Sequence, residues 1–180
     1  MSRLLNQLVA LATASTIVTG TQVLAKELWL PERDAARPKT TNSVPHMQHG
    51  IEPVPELTQK TLDHVANFPG VKLGATRVSL PGAVGFQLEE GFALANPDAI
   101  VGGREFAHVH PDGSLHASLD PVVARKAVKT GWATPHPWAD QRPGWEGFVM
   151  IYTPQTKAEL DVVLSLLESS YLFVTGRLSI

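Results

Sequence analysis

The chain has 180 residues, of which 43% are hydrophobic, and this length and composition favour one folded domain rather than two. Its 15 Lys and Arg residues against 17 Asp and Glu residues give a net charge of −2, so it lacks the surplus of cations that a general nucleic-acid binder needs. The absence of cysteine excludes disulfides, thiolate-held metals and a cysteine nucleophile, and any bound metal must be held by His, Asp or Glu.

The first 25 residues are typical of a secretory signal peptide. Arg3 gives a basic start, residues 4–20 carry no charge, and Val23-Leu24-Ala25 supplies the residue types that a signal peptidase reads. We therefore expect cleavage after Ala25 and a periplasmic or secreted protein, with an uncleaved, membrane-tethered form as the alternative. Beyond this segment the sequence predicts no contact with a membrane.

Residues 26–55 are rich in proline and charged side chains, which predicts a linker. His46 and His49 lie in this stretch as an H-x-x-H pair, a spacing that can bind a metal. Because such a pair in a proline-rich linker is more often solvated, we expect both imidazoles to face water.

Residues 56–180 have the pattern of a small α+β domain. The predicted elements are, in chain order, a helix at 56–67, strands at 71–80 and 84–88, a hairpin of strands at 105–110 and 115–119, a helix at 121–130, a Pro- and Trp-rich loop at 132–143, a strand at 148–152 and a helix that begins at Thr156. Asp120 is a good N-cap for the second helix, and Thr156 with Glu159 forms a capping box for the third. Hairpins followed by single helices indicate a small antiparallel sheet with about three helices packed on one face.

Three histidines lie on the predicted hairpin. His108 and His110 are two apart on one strand, so they point to the same face of the sheet. A two-residue turn would send His116 to the other face. Residues 111–113, Pro-Asp-Gly, instead favour a type I turn with Gly113 left-handed, which adds one residue and sets His108 opposite His116. The sequence therefore predicts three imidazoles on one face of the hairpin.

Such a cluster suits two kinds of chemistry. Imidazoles bind zinc, copper, iron or nickel, so His108, His110 and His116 are a candidate set of ligands for a divalent metal. Imidazoles also serve as general base and acid near neutral pH, and Arg104 and Glu105 lie beside them as further candidate catalytic residues. The alternative is a polar, solvent-facing surface on which the histidines merely fill strand positions.

The loop after the second helix adds a fourth candidate catalytic residue, His136, which stands between two prolines. Trp132 and Trp138 flank it and offer flat apolar surface for a planar ligand, so we expect both to bind substrate. For Trp132, which follows the helix end, capping of the core is the alternative. The chain has no G-x-S-x-G elbow, no P-loop and no G-x-G-x-x-G after a strand.

From about residue 70 to 176, the chain resembles the luciferase domain of bioluminescent fungi. The segments that carry the resemblance are Arg104–His110, Ser114–His116, Lys129–Trp132, His136-Pro137 and Ile151–Pro154 with the helix that follows. The turn after His110 is shorter than in the fungal enzymes and the N-terminal segment is of a bacterial type. We therefore expect a bacterial, non-luminescent homologue.

The resemblance implies a reaction and the residues that perform it. The fungal enzymes oxidise 3-hydroxyhispidin, a phenolic pyrone, with molecular oxygen and without a separate organic cofactor. The family's shared polar residues fall on Arg104, Glu105, His108, His110, His116, Trp132 and His136. The implied mechanism has a histidine deprotonate an enol or phenol, Arg104 stabilise the anion, and O2 attack the carbanion while Trp132 and Trp138 enclose the ring.

The leading expectation is thus an exported luciferase-like domain, an oxygenase whose partners are a small aromatic molecule and O2. Two alternatives stay open. One is a histidine-rich metal-binding protein, and the other is a non-catalytic ligand-binding or interaction domain.

Overall fold

The computed structural model describes residues 28–180. The predicted signal peptide and its cleavage site fall outside this range and stay predictions. The described elements are, in chain order, β1 (Lys39–Thr40), β2 (Gln48–His49), α1 (Pro55–Ala66), β3 (Val71–Ala75), β4 (Val84–Leu88), a 3-10 turn (Pro97–Ala99), β5 (Glu105–Val109), β6 (Leu115–Ser118), α2 (Pro121–Lys129), β7 (Ala133–Pro135), β8 (Phe148–Ile151) and α3 (Lys157–Thr175). None of the helices within residues 28–180 has the length and apolar character needed to cross a bilayer.

The helices begin where the sequence predicts. The side chain of Asp120 accepts the N–H of Val122 at the start of α2, and that of Thr156 accepts the N–H of Glu159 at the start of α3. α3 ends at Gly176, whose φ of 71° is the left-handed conformation that terminates many helices. These local signals set where α2 and α3 begin and where α3 ends.

The main sheet has six antiparallel strands in the order β3-β4-β5-β6-β8-β7. α3 packs on β5 and β6, and α2 packs on β7 and β8. Side chains that alternate along the strands enter the core between sheet and helices, among them Ala107, Leu115, Ala117 and Ile151. The α+β prediction is confirmed. The histidines lie on the face of the sheet that α2 and α3 do not cover.

Two strand predictions need correction. The strand predicted over 71–80 ends at Ala75, because Thr76 and the backbone N–H of Arg77 turn to bind the carboxylate of Glu105. The loop predicted over 132–143 contains β7, which pairs with β8 at the edge of the sheet. Proline at position 135 fits such an edge strand.

A bulge in β5 changes which side chains share a face. Phe86 pairs with Ala107 but Gln87 pairs with Glu105, so Phe106 is the extra residue of the bulged strand. In a regular strand, residues three apart point to opposite faces. The bulge instead brings the carboxylate of Glu105 to the imidazole of His108, with Oε1 and Nδ1 2.9 Å apart.

The stretch predicted as a linker packs on the sheet, and we refer to residues 28–50 as the strap. Leu30 is buried in the core, and the N–H of Arg33 donates to the carbonyl of Thr130. The guanidinium of Arg33 pairs with the carboxylate of Glu159 at 3.1 Å. Near the other end of the strap, the side chain of Gln48 is hydrogen-bonded to that of Thr153. These contacts hold the strap across the sheet.

Replacement of Gly147 by alanine is expected to destabilise the fold by at least about 2 kcal/mol. A Cβ on Gly147 would overlap the carbonyl oxygen of Leu119, where β6 and β8 meet. The matched control is Gly74→Ala in β3, where a Cβ meets no atom within 4 Å and the change should stay within about 0.5 kcal/mol. Urea unfolding of both variants measures the difference, and equal stabilities would contradict the expectation.

Candidate functional site

Five imidazoles meet on the face of the sheet opposite the helices, and we call them the histidine cluster. Its members are His46, His108, His110, His116 and His136. Each is at most 5% exposed, and neighbouring ring centroids lie 4.6 to 5.2 Å apart. The strap, β5, β6 and the segment after β7 therefore converge on one point.

The predicted hairpin geometry is confirmed. Gly113 has a φ of 83°, the N–H of His110 donates to the carbonyl of Ser114, and His108 pairs with His116 across the two strands. Because the turn contains this extra left-handed residue, His108, His110 and His116 share a face.

One end of the cluster is anchored on a buried carboxylate. Glu105 is 3% exposed and accepts hydrogen bonds from His108 Nδ1 at 2.9 Å, from the Thr76 hydroxyl at 2.7 Å and from the N–H of Arg77 at 2.8 Å. Burial alone would raise the pKa of Glu105, but these hydrogen bonds outweigh it and hold the pKa below its usual value. The carboxylate is thus an anion next to His108.

From this anion a chain of hydrogen bonds runs to the strap. His108 Nε2 lies 3.0 Å from His116 Nδ1, and His116 Nε2 lies 3.2 Å from His46 Nδ1. With neutral imidazoles and an ionised Glu105, only one placement of protons makes every bond: each Nδ1 carries a hydrogen and each Nε2 accepts. The chain, which we call the relay, therefore ends in a lone pair on His46 Nε2.

His110 is oriented by a second carboxylate. The Ser114 hydroxyl donates to Asp112 Oδ1 at 2.7 Å, so its oxygen accepts from His110 Nδ1 at 2.9 Å. This leaves a lone pair on His110 Nε2, which is buried and has no hydrogen-bond partner in the described part of the chain.

His136 has the opposite tautomer. Its Nδ1 accepts the backbone N–H of Trp138 at 3.1 Å, so the hydrogen of the neutral ring is on Nε2. Its ring packs against Phe148 and Trp138, with centroids at 4.4 and 5.2 Å. His136 therefore offers a hydrogen-bond donor at Nε2, whereas Nε2 of His46 and Nε2 of His110 are acceptors.

Burial keeps four of these rings neutral. Loss of hydration lowers the pKa of His46 to about 4, that of His110 to about 4 and that of His136 to about 3. For His110 and His136, and for His116, whose pKa lies well below its usual value, neighbouring imidazoles add to the effect of burial. At neutral pH these rings are proton acceptors rather than cations.

The histidine cluster lines a cavity of about 150 Å³ whose other walls include Pro45, Leu80, Trp138 and Phe148. An open cleft of about 460 Å³ adjoins it and shares His46 and His136 as common wall. The cleft adds polar groups, among them Thr41, Asn42, Asp140 and Glu146. A planar molecule in the cavity would meet aromatic walls and imidazole nitrogens, with room for a polar substituent in the cleft.

Two residues predicted to act at the site lie elsewhere. The guanidinium of Arg104 donates to the carbonyls of Leu88 and Phe92 and lines a separate surface pocket. The indole of Trp132 donates to the carbonyl of Pro31 and packs against Arg33 of the strap. Neither side chain lines the cavity, so Arg104 secures a loop and Trp132 anchors the strap. Trp138 does line the cavity, and its binding of a substrate stays a prediction.

His46 is a site residue that sequence reasoning missed. The expectation that it faces water is wrong, because its side chain is 4% exposed, whereas His49 is exposed as expected. No local pattern separates the two, since only the docking of the strap decides which imidazole is buried. Asp112 and Ser114 were also missed, although their position in the turn beside His110 was the available signal.

Comparisons with known proteins find a family likeness in the same part of the chain. A family model described as the luciferase domain matches residues 103–170, a range that contains four of the five clustered histidines. A luciferase of Armillaria gallica is 27% identical over 174 residues, covering 84% of this chain, and one of Armillaria mellea gives the same values. A luciferase of Neonothopanus nambi is 33% identical over 79 residues, which cover 41% of this chain and 29% of that protein.

The match spans 64% of the length of the Armillaria proteins, so these relatives are longer than the region they share with this chain. No solved structure matches.

Proposed function

We propose that this chain, whose residues 103–170 match the luciferase-domain model, binds a small planar enol or phenol in the histidine-lined cavity and oxidises it with molecular oxygen. The observation that carries the proposal is the relay, which leads from a buried anion at Glu105 to a lone pair on His46 Nε2 beside an aromatic-walled cavity. Export to the periplasm or beyond is part of the proposal and rests on residues 1–25.

The dimensions of the site favour a substrate with one ring and a polar extension. The cavity of about 150 Å³ is smaller than typical ligand pockets, which measure roughly 300–1,000 Å³. Together with the adjoining cleft of about 460 Å³, the space falls within that range. A ring would pack between Trp138 and Phe148 while its substituent extends toward Asn42 and Asp140.

The first chemical step is removal of the enol or phenol proton by His46 Nε2. A buried imidazole with a low pKa is a weak base by itself. The relay compensates, because each imidazole can take a proton at Nε2 and release one at Nδ1, so the positive charge moves to His108 beside the Glu105 carboxylate. The buried site then holds an ion pair instead of an isolated cation.

The second step forms a carbon–oxygen bond. The enolate or phenolate, stabilised by the N–H of His136, gives two electrons to O2, which is reduced to the level of a peroxide. The proton held by the relay passes to the distal oxygen, so that substrate and O2 together give a hydroperoxide. All atoms and electrons are supplied by the substrate and O2.

Oxygen consumption with a panel of hydroxypyrones and simple phenols tests the proposal. Replacement of His46 by alanine is expected to lower the rate at least about 100-fold, the usual value of a general base. His49→Ala is the matched control, since this histidine lies three residues away and is exposed, and its rate should stay within about twofold.

Absence of both binding and oxygen uptake across the panel would overturn the proposed function. Full activity in the His46→Ala variant would leave the function standing and remove His46 as the base. Folding of each variant is checked by its thermal transition, and His46→Gln provides a second replacement that keeps hydrogen-bonding capacity.

A further inference from the structure

The lone pair on His110 Nε2 has no role in the proposed oxidation. This atom is buried, the residue is 3% exposed, and no group within residues 28–180 is its hydrogen-bond partner. An unsatisfied buried polar group costs roughly 1–3 kcal/mol, so a native fold that keeps one calls for an occupant. The occupant must accept electron density from nitrogen, as a metal ion or a donor hydrogen does.

The hydrogen bonds at Nδ1 of His108 and His110 favour a metal ion as the occupant. His108 donates its Nδ1 hydrogen to the carboxylate of Glu105, and His110 donates its own to Ser114, whose hydroxyl is bound to Asp112. Both rings therefore present Nε2 lone pairs and are held by carboxylates, directly or through one hydroxyl. Histidines that bind metals almost always donate the other ring N–H to a carboxylate, a backbone carbonyl or a water, and both rings follow this pattern.

His116 completes a set of three. Its ligand atom lies within 4.8 Å of those of His108 and His110, and its Nδ1 is 3.0 Å from His108 Nε2. Two nitrogens bound to one ion at about 2.0–2.1 Å with a tetrahedral angle are about 3.3 Å apart. The observed separation thus fits an edge of a coordination tetrahedron after a shift of a few tenths of an ångström.

We propose that His108, His110 and His116 bind one divalent transition-metal ion of the group that imidazole favours, namely zinc, iron, nickel or copper. The fourth coordination position would face the cavity. The other triad, His46, His116 and His136, is the weaker candidate, because His136 Nδ1 already accepts a backbone N–H and its Nε2 carries the hydrogen.

The ion and the relay need the same lone pairs. With an ion on His116 Nδ1, the ring hydrogen moves to Nε2 and donates to His46 Nδ1, and His46 Nε2 then carries a hydrogen. A metal-loaded site would therefore present His46 as a donor rather than as a base. The metal site does not rest on the proposed function, and activity measured with and without the ion shows which form is active.

Metal binding is tested on untagged protein that has been stripped with a chelator. Zn2+ and Co2+ are added separately, bound metal is measured by equilibrium dialysis and mass spectrometry, and the visible spectrum of bound Co2+ reports its coordination number. We expect about one equivalent in the parent protein and under about 0.1 equivalent in His110→Ala. Ser114→Ala, which keeps all three ligands, should bind about 10- to 100-fold more weakly.

Two controls separate the site from other histidines. His136→Ala should keep the ion, because His136 belongs to the cluster and not to the ligand set. His64→Ala should also keep it, since this partly exposed histidine lies in α1 and pairs with Glu168. Less than about 0.1 equivalent in the parent protein, or undiminished binding by His110→Ala, would overturn the inference.

Oxygen uptake by the stripped protein distinguishes this inference from the proposed function. Oxygen uptake by a protein that binds no metal would support the proposed function and overturn the proposed metal site. Metal binding without oxygen uptake by the stripped or the metal-loaded protein would support the metal site and count against the proposed oxidation.

Discussion

In the oxidation proposed above, the Glu105→Gln variant is expected to be about 100-fold slower than the parent protein, and it is expected to lose about 2 kcal/mol of stability. Three donors converge on this carboxylate, namely His108 Nδ1, the Thr76 hydroxyl and the N–H of Arg77. A glutamine side chain offers one oxygen and one NH2 group, so at least one buried donor would face another donor. The negative charge that stabilises a proton on His108 would also be lost.

Urea unfolding and oxygen uptake measure the two effects of Glu105→Gln separately. Glu90→Gln is the control, because Glu90 is exposed and should show neither effect. If Glu105→Gln is destabilised yet keeps the parent rate, the carboxylate has a structural role only and the relay is not part of the reaction.

Acid is expected to unfold the protein between pH 6.5 and pH 4. The pKa values of His46 and His110 are about 4 and that of His136 is about 3 in the folded state, against about 6.5 in an unfolded chain. Above pH 6.5 these rings are neutral in both states and folding is unaffected. As the pH falls below 6.5, these imidazoles bind protons in the unfolded chain but stay neutral in the folded protein, so the free energy of unfolding decreases.

The acid effect is large because several groups contribute in the same direction. The lowered pKa of Glu105 adds to it, since its contribution is lost as the pH falls below its unfolded value of about 4.5. The sum is on the order of several kcal/mol, a large part of the roughly 5–15 kcal/mol that stabilises a domain.

Urea titrations with a chelator present at pH 7.5, 6, 5 and 4 measure the acid effect. The His136→Phe variant should show a shallower pH dependence, since it removes one ring of the set. A free energy of unfolding that stays flat from pH 7 to pH 5 would show that the imidazoles reach water in the folded state.

Local chemistry explains why the hairpin could be predicted. The pairing of His108 with His116 follows from a three-residue turn sequence with a glycine at its left-handed position, and the whole signal lies within nine residues. The N-caps at Asp120 and Thr156 are local in the same sense. Such features depend on the conformational preferences of neighbouring residues, so they can be predicted from the sequence alone.

The missed features depend on contacts between distant parts of the chain. Glu105 reaches His108 because β5 bulges against β4, and a lone strand sequence does not reveal its partner's register. His46 reaches His116, 70 residues away, because the strap docks. Arg104 was predicted to act at the site from its place beside the histidine strand and from the family resemblance, but it lies in the turn before β5 and its guanidinium binds loop carbonyls instead.

The sheet has a consequence for how such a protein can evolve. Along β6, His116 faces the cavity, while Leu115 and Ala117 on either side of it are fully buried in the core. Substitutions that change the cavity and substitutions that change the core therefore fall on alternate residues of the same strand. A lineage can exchange cavity residues and acquire new substrates while the core residues stay unchanged, so one scaffold can diversify in chemistry without first losing its fold.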